Sequence, residues 1–303
     1  MHRKIKIILN PMADMGNAWR VARDLRSITE QHGGVDWSGT VYPGHAMDLA
    51  KSAEGYDMII AMGGDGTVHE VMNGLMQIHE NKRPILGVVP VGSGNDFGHG
   101  INASTTPTES LTRAINGEPS TVDLGLMTAG DGRQEYFDNT LGIGFGATVT
   151  IRSHQLPILR GFVMYLAAVI QAIILDHNPI KMQIESDGKK WEQSVIYLIL
   201  CNGPREGGGF LVAPEAKIDD GIFHYAMITN VSRAMMFRIV PEVMKGTHGR
   251  FKQVKMGTCK KFSLTADRPL YIHADGEIFS GPGTDIRKVS FEILPNALKI
   301  VRG

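Results

Sequence analysis

The stretch Ile59–Leu75 reads I-I-A-M-G-G-D-G-T-V-H-E-V-M-N-G-L and predicts a strand, a glycine-rich turn and a helix in succession. The apolar run that ends at Met62 has the length of a buried strand. The apolar residues after the turn recur at the three- and four-residue spacing of one helix face: Val68, Val71, Met72 and Leu75. This succession is the repeating unit of an α/β fold.

The turn itself combines three glycines, Gly63, Gly64 and Gly66, with Asp65. Because glycine has no Cβ, backbone N–H groups there can approach an anion, and the N-terminus of the following helix adds a partial positive charge. A phosphate group fits such a site. Asp65 would repel phosphate unless Mg²⁺ or a hydroxyl proton lies between them, which favours phosphate with metal or phosphate transfer. The alternative is a tight structural loop in which Asp65 caps the helix.

Composition limits the classes of function. The chain has 303 residues, enough for two domains, and its 31 basic and 31 acidic residues cancel. This balance argues against nucleic-acid binding and against a polybasic membrane anchor. Two cysteines, Cys201 and Cys259, are too few for a disulfide framework or a four-thiolate zinc site, so we expect buried thiols and a cytoplasmic protein.

The sequence predicts neither a signal peptide nor a membrane-spanning helix. The N-terminus runs directly into a strand and lacks an apolar signal core followed by a small-residue cleavage site. The longest apolar stretch, 162–175, includes Gln171 and is shorter than the ~20 residues that a bilayer span requires.

The first part of the chain alternates between strands and helices. Strands are predicted at 5–9, 35–41, 56–62 and 85–89, and helices at 18–31, 44–53 and after the glycine turn. Such alternation indicates a mainly parallel sheet, whose ligands gather beyond the carboxyl ends of the strands. The loops at those ends are Asn10–Gly16, Gly63–Thr67 and Gly92–Asp96.

After residue 121 the pattern changes to short strands separated by Gly, Asp and Pro clusters, which predicts an antiparallel β domain. The predicted strands are 122–127, 136–141, 180–184, 194–201, 222–228, 260–264, 270–274 and 289–293. Two helices, 159–175 and 231–245, interrupt this series. The first is apolar on nearly all sides, so it either packs in the core or covers an apolar ligand site.

Five motifs occur in a fixed order: G-G-D-G-T at 63–67, P-V-G-S-G-N-D-F at 90–97, V-D-L-G at 122–125, A-K-I-D-D-G at 216–221 and D-G-E at 275–277. With them the chain closely resembles the soluble bacterial lipid kinases of the diacylglycerol kinase catalytic-domain family, to which the sphingosine kinases are related. The resemblance covers nearly the whole chain. The G-G-D-G-T turn is shared with NAD kinases, whereas the second and last motifs favour the lipid branch.

This resemblance implies an N-terminal nucleotide-binding parallel α/β domain over 1–122, to which 294–303 returns, and a C-terminal antiparallel β-sandwich over 123–293. It places the active site in the cleft between the two domains and makes ATP the phosphate donor. The nucleotide contacts that it implies are Asn10, Pro11, Thr40, Gly63, Gly64, Asp65, Gly66, Thr67, Val68, His69, Gly92, Ser93, Gly94, Asn95 and Asp96.

Three of these residues also have ordinary structural explanations. Thr40 matches the family through its T-x-x-x-G setting with Gly44, but it could be a plain threonine at a strand end. Ser93 could cap a helix at Gly94. His69 fits a helix-surface histidine better than a catalytic one, since nothing near it has the spacing of zinc ligands.

The acidic residues supply the catalytic candidates. Two neighbouring acids raise the pKa of one of them, which favours a general base, and the resemblance assigns that role to Glu277. Asp275 would orient the site or bind Mg²⁺, and Asp65 and Asp123 would complete the acidic cluster. The alternative for the D-G-E motif is an ordinary hairpin turn.

The resemblance also implies a second, structural Mg²⁺ site. It would use the backbone carbonyls of Lys217 and Ile222 together with the carboxylate of Asp220. A solvated D-D-G turn is the alternative, because one carboxylate binds Mg²⁺ weakly without waters.

The function expected from the sequence is therefore ATP- and Mg²⁺-dependent phosphorylation of a lipid hydroxyl, of the diacylglycerol type, at a membrane surface. An NAD kinase or another small-molecule kinase with the same turn, and a nucleotide-binding regulator with little turnover, are the alternatives. The apolar residues 162–175 and the methionine-rich 235–237 suit an acyl chain better than a dinucleotide, although methionines also fill ordinary cores. A homodimer is compatible with the sequence.

Overall fold

The computed structural model describes residues 3–156, 159 and 161–303. These residues form two compact units, which we call unit 1 and unit 2. Unit 1 comprises 1–122 and 296–303, and unit 2 comprises 123–295. The sequence placed the return to the first domain at 294, and the structure resumes unit 1 at 296.

Unit 1 contains a parallel sheet with helices between its strands. Its strands are β1 (Ile5–Leu9), β2 (Asp36–Gly39), β3 (Met58–Gly63) and β4 (Ile85–Pro90), in the order β2-β1-β3-β4. Its helices are α1 (Asn17–Gln31), α2 (His45–Lys51), α3 (Asp65–Met76), α4 (Asp96–Gly100) and α5 (Pro107–Asn116). Near the C-terminus, Ile300 pairs in parallel with Leu86 of β4.

Hydrophobic burial explains these elements. All six residues of β3 are buried, as expected for a strand covered on both faces. Helix α1 buries Ala18, Ala22 and Leu25, which recur at the spacing of one helix face. Helix α5 begins with Pro107, whose fixed φ suits the first helical turn.

The strand register brings the carboxyl ends of four strands to one edge. Leu9 pairs with both Gly39 and Met62, and Gly63 pairs with Pro90. The loops that follow these strands therefore start next to one another. This is the edge at which parallel sheets bind ligands.

Unit 2 is built on antiparallel pairing. The strands that lie in it, wholly or in part, are β5 (Pro119–Ala129), β6 (Gln134–Phe137), β7 (Thr140–Gly144), β8 (Ile180–Ser186), β9 (Lys189–Cys201), β10 (Phe223–Thr229), β11 (Val254–Cys259), β12 (Lys261–Ala266), β13 (Ile272–Ala274), β14 (Glu277–Ser280) and β15 (Lys288–Val301). The order β14-β13-β7-β9-β8-β12-β15 holds the main series, and β10 joins β9 to β11. The helices are α6 (Phe145–His154), α7 (Gly161–Leu175) and α8 (Arg233–Met244).

The core of unit 2 is aromatic and aliphatic. Phe137 and Phe223 stack with ring centroids 5.5 Å apart inside a cluster that also buries Phe262. Cys201 and Cys259 are both buried free thiols, as predicted. Burial raises the pKa of Cys259 to about 12, so this thiol is unreactive at neutral pH.

Several sequence-based boundaries were wrong. The single strand predicted at 136–141 is two strands, β6 and β7, which are separated at Asp138 and Asn139. Strands β11 and β14 and helix α6 were not predicted at all. Helix α6 contains the run Thr148–Ile151, in which every residue is β-branched and therefore has a low intrinsic helix propensity. Tertiary packing against α7 overrides this propensity.

Helix α7 fits neither sequence alternative completely. One face packs into the core, whereas Val163, Ile170 and Ile174 on the other face are exposed. The length and apolar character needed to cross a membrane are not found in any helix of the described part of the chain.

Candidate active site

The first glycine turn, 63–67, leads directly into helix α3. Gly64 is the N-cap of α3 in an extended conformation, so Asp65 is the first helical residue and does not cap the helix as the structural alternative proposed. A Cβ on Gly63 would lie 2.3 Å from Oγ1 of Thr67. Only glycine fits at position 63 without displacing the first turn of α3, which also contains Gly66 and Val68.

The second glycine loop touches the first. A Cβ on Gly92 would lie 2.4 Å from the Cα of Gly64, and the Val91 N–H donates to the Gly63 carbonyl oxygen at 2.9 Å. The Asp65 carboxylate accepts a hydrogen bond from the Phe97 N–H at 3.2 Å. The two loops therefore form one cradle of closely approaching backbone, which we call the glycine cradle (63–67 and 92–97).

Asn95 shapes the second loop. Its side-chain amide accepts from the Gly92 N–H at 3.0 Å and donates to the Gly92 carbonyl at 2.7 Å, and its φ is +54°. Asn95 is also the N-cap of α4, which begins at Asp96, so the alternative that Ser93 caps a helix at Gly94 is wrong. A Cβ on Gly94 would lie 2.9 Å from Oδ2 of Asp65.

The ends of β1 and β2 border the same edge. Nδ2 of Asn10, which precedes Pro11, donates to Oγ1 of Thr67 at 3.2 Å, and the Thr40 N–H donates to the Leu9 carbonyl at 2.8 Å. The structure thus brings the predicted nucleotide contacts of unit 1 to the carboxyl edge of one sheet.

Two features of this edge differ from the sequence analysis. His69 is only 3 % exposed, so its interpretation as a helix-surface histidine was wrong; it packs with Asn73 one turn later in α3. Glu70 was missed: its carboxylate accepts from the N–H groups of Gly44 and Ala46 at the start of α2. Glu70 therefore fixes the helix that follows Thr40.

In unit 2 the D-G-E motif forms a tight hairpin between β13 and β14. Asp275 and Gly276 both have positive φ, +50° and +86°, as in a type I′ turn. The Asp275 carboxylate is buried and accepts three backbone hydrogen bonds, from Asp138, Asn139 and Thr140, at 2.9 to 3.0 Å. The hairpin thus has the geometry of an ordinary D-G turn, and its aspartate also anchors the start of β7.

Glu277 has a different environment from Asp275. It begins β14, is exposed, and borders a depression of about 310 Å³ together with Arg133, Glu135 and Phe279. The two carboxylates that the sequence placed at one point are therefore one buried anchor and one accessible group.

Asn202 connects Asp123 to Asp138, one of the residues that hydrogen-bond to Asp275. The Asn202 amide donates to the carbonyl oxygens of Asp123 and Asp138 at 2.9 and 2.8 Å, and the Asp123 carboxylate accepts from the Gly221 N–H at 2.7 Å. Sequence analysis missed Asp138 and Asn202. Their only signal is a polar residue at the end of a buried strand, a pattern too common to indicate a site.

Comparisons with known proteins decide the family. The model of the diacylglycerol kinase catalytic domain matches residues 4–127, and that of the YegS C-terminal NAD kinase beta sandwich-like domain matches 139–302. A relative from Yersinia pestis (strain Pestoides F), "Probable lipid kinase YegS-like", is 30% identical over 90% of this chain and 84% of its own. The chain belongs to the YegS-like lipid kinase family.

A second relative agrees with this membership, and a solved structure shows the same fold. A protein of the same name from Chromohalobacter salexigens is 37% identical over 64% of this chain, a match that spans 60% of that relative's length. A crystal structure of a Bacillus anthracis str. Sterne protein, described as a candidate diacylglycerol kinase, has a TM-score of 0.80 at 20% identity and covers 99% of this chain and 95% of its own. The predicted fold class, an α/β domain followed by a β-sandwich domain, is confirmed.

This YegS-like chain also contains a buried polar cluster that sequence analysis missed. The Glu206 carboxylate accepts from the hydroxyls of Tyr165 and Tyr197, each at 2.8 Å, and lies 3.0 Å from Nε2 of His273. Burial raises the pKa of Glu206, but His273 and the two hydroxyls outweigh it, so the net pKa is lowered. His273 lies two residues before Asp275, and the cluster thus holds the strand that leads into the hairpin.

The sequence predicts a catalytic Mg²⁺ ion and a second, structural Mg²⁺ ion. Within residues 3–156, 159 and 161–303, no three His, Cys, Asp or Glu side chains are arranged as a metal site. Asp220 accepts from the Ile222 N–H at 3.2 Å and lies 3.4 Å from Nε2 of His224, while Lys217 is exposed. The turn therefore gives this carboxylate two partners of its own, and a Mg²⁺ ion at Lys217, Asp220 and Ile222 stays a prediction.

Proposed function

We propose that this protein transfers the γ-phosphate of ATP to a lipid hydroxyl, with diacylglycerol-like lipids as the acceptor class. The observation that carries this proposal is the glycine cradle, in which a Cβ on Gly92 would lie 2.4 Å from the Cα of Gly64. Backbone that approaches this closely at a helix N-terminus suits a polyphosphate. Membership of a lipid kinase family supports the acceptor class.

The cradle residues would bind the nucleotide phosphates through the backbone N–H groups at the start of α3. Asp65, held by the Phe97 N–H, presents a carboxylate beside these groups. Mg²⁺ would neutralise phosphate charge when bound, and Asp65, the less buried of the two cradle carboxylates, would hold it. Asn10 and Thr40 would border the nucleotide at the ends of β1 and β2.

Glu277 is the proposed general base. As the hydroxyl oxygen forms its bond to the γ-phosphorus, Glu277 takes the hydroxyl proton and ADP leaves with the bridging oxygen. An exposed carboxylate on a fixed hairpin suits this role. Asp275 and Asp123 are proposed to position the hairpin and its neighbouring turn, because their carboxylates accept backbone hydrogen bonds.

An NAD kinase is the second candidate function. It is favoured by one observation: the C-terminal family model is described as an NAD kinase beta sandwich-like domain. The G-G-D-G-T turn at 63–67 fits both candidates. A nucleotide-binding regulator with little turnover would bind ATP in the same cradle but would not use Glu277 as a base.

A phosphate-transfer assay with radiolabelled ATP separates these functions. The purified chain would be incubated with Mg²⁺ and diacylglycerol, monoacylglycerol, a sphingoid base, an isoprenol or NAD. Label in one or more lipids supports the proposal, and label only in NADP replaces it with the NAD kinase. Binding of ATP without label in any acceptor would identify a regulator.

Three secondary proposals accompany this function. The protein would be cytoplasmic and would associate transiently with the membrane that contains its acceptor. A homodimer is compatible with this function, and Mg²⁺ would occupy the turn at Lys217, Asp220 and Ile222. Isothermal titration of Mg²⁺ into wild type and Asp220→Asn tests the last of these: equal heats in both would remove the second site.

A further inference from the structure

Helix α7 has an exposed apolar face that the core does not explain. Val163, Ala167, Ile170 and Ile174 recur at intervals of four, three and four residues, so they share one stripe along the helix. We call these four residues the apolar stripe. The buried residues of α7, among them Ala168 and Ala172, lie on the opposite side.

The exposure of the stripe is large for aliphatic side chains. Val163, Ile170 and Ile174 are 59%, 42% and 53% exposed, and Leu175 at the helix end is 61% exposed. Helix α7 contains no charged residue from Gly161 to Leu175. A surface helix of a protein in water ordinarily carries polar residues on its outer face, so this face fits an apolar partner.

Helix α8 extends the feature. It packs against α7 within the same hydrophobic cluster, and Nε of Arg233 donates to the carbonyl oxygens of Ile173 and Ile174 at 3.1 and 3.2 Å. Phe237 on α8 is 44% exposed. Apolar side chains are thus exposed on two adjoining helices.

The charge beside these helices is mostly positive, and Asp176, which follows α7, is paired with Arg152. Residues 231–256 contain six basic residues and one acidic residue, Glu242, although the whole chain has 31 of each. Glu242 is buried and paired with Arg250. The exposed basic residues of this segment include Arg238, Lys245 and Lys252. Positive charge beside an apolar helix face complements an anionic bilayer.

We infer that the apolar stripe and the adjoining basic α8 segment dock this protein onto anionic lipid bilayers. The stripe enters the boundary between headgroups and acyl chains while Arg238 and its basic neighbours contact the headgroups. A second copy of the chain is the competing occupant; two equally basic segments brought together would repel each other, which favours the bilayer. The inference deepens the proposed function, since it rests on an acceptor that resides in a membrane.

Vesicle flotation tests the inference without ATP or acceptor. Wild type would be mixed with vesicles of phosphatidylcholine alone or of phosphatidylcholine with 30% phosphatidylglycerol at low and high salt. We expect binding to the anionic vesicles that weakens as salt screens the basic residues. Equal binding to both vesicle types, or binding to neither, would overturn the inference.

Matched variants locate the surface. Ile170→Glu and Ile174→Glu should each reduce partitioning to anionic vesicles by about tenfold or more, because each replaces an inserted apolar side chain with a charge. Arg238→Glu should reduce it by about fivefold. Trp19→Glu and Arg26→Glu, exposed residues of α1 in unit 1, are the controls and should bind as wild type does.

Two further measurements keep the outcomes distinct. Light scattering reports the oligomeric state: if Ile170→Glu converts a dimer to a monomer and vesicle binding is unchanged, the stripe is a contact between copies and the inference is wrong. Circular dichroism shows whether each variant folds, and the milder Ile174→Ser replaces any variant that does not.

Activity separates this inference from the proposed function. Stripe variants should lose phosphorylation of diacylglycerol in vesicles but keep that of a soluble short-chain diacylglycerol. If no acceptor is phosphorylated while stripe-dependent vesicle binding persists, the proposed kinase function is wrong and the bilayer-docking inference is supported. If wild type and Ile170→Glu phosphorylate vesicle diacylglycerol equally, the bilayer-docking inference is wrong and the proposed kinase function is supported.

Discussion

The glycine cradle of unit 1 and the D-G hairpin of unit 2 use glycine for different reasons. Gly92 is required by contact, since a Cβ there would strike the Cα of Gly64. Gly276 is required by conformation: its φ is +86°, and a Cβ there would meet nothing within 4 Å. One glycine permits close approach of two backbones, and the other permits a turn.

The carboxylates of the two regions differ in the same way. The Asp65 carboxylate accepts a backbone hydrogen bond from Phe97, whereas the Asp275 carboxylate is buried and accepts backbone hydrogen bonds from residues 138–140. In the proposed function the cradle binds its ligand through backbone groups, whereas the aspartate of the hairpin stabilises the hairpin itself. The proposed function therefore assigns the base in unit 2 to the exposed Glu277.

The largest effect is expected at Gly92. Gly92→Val should abolish ATP binding, because the side chain forces the two loops of the cradle apart. Gly64→Ala should be milder, since its Cβ would lie 3.3 Å from the Gly92 Cα. Equilibrium binding of a fluorescent ATP analogue measures both, and wild-type affinity in Gly92→Val would show that the cradle does not hold the nucleotide.

Glu277→Gln should lower kcat by about 10² to 10⁴ with little change in ATP affinity, because base assistance acts in the transition state. Steady-state kinetics on the lipid acceptor measure this. Near wild-type turnover in this variant beside an inactive Asp65→Asn would move the base to unit 1.

Asp275→Asn should act through structure. The amide nitrogen cannot accept the hydrogen bonds that one carboxylate oxygen accepts, so unit 2 should lose about 2 to 4 kcal/mol of stability. Thermal unfolding measures the loss, and added Mg²⁺ should not restore turnover. Full rescue by Mg²⁺ with an unchanged melting temperature would make Asp275 a metal ligand instead.

The buried cluster predicts a dependence on pH. The lowered pKa of Glu206 means that its stabilisation is present above its unfolded pKa of about 4.5 and is lost as pH falls through the lower folded value. Glu206→Gln should cost about 1 to 3 kcal/mol at pH 7 and progressively less in acid. Urea unfolding at pH 7 and at about pH 3 checks this; an equal cost at both would show that the charge is not involved.

Gly276→Ala should have the smallest effect, about 1 kcal/mol, from the positive φ alone. Urea unfolding of this variant beside Gly92→Ala compares the two kinds of glycine directly. A larger loss at Gly276 than at Gly92 would break the distinction between conformation and contact.

The sequence determined the fold class and the positions of the glycine turns, because both are local. Strands such as β3 and helices such as α1 follow from the spacing of apolar residues, and tight turns follow from glycine. Helix α6 escaped detection because its β-branched residues give the wrong local signal, and because its packing against α7, the next helix in the chain, is a tertiary contact that helical spacing does not reveal.

Only the tertiary structure shows which residues distant in sequence contact one another. The contact of Gly92 with Gly64 and the anchoring of Asp275 by residues 138–140 each join parts of the chain that are distant in sequence. No local pattern contains such contacts. The exposure of the apolar stripe has the same origin: the sequence of α7 shows that it is apolar, and only its packing shows which face is left in water.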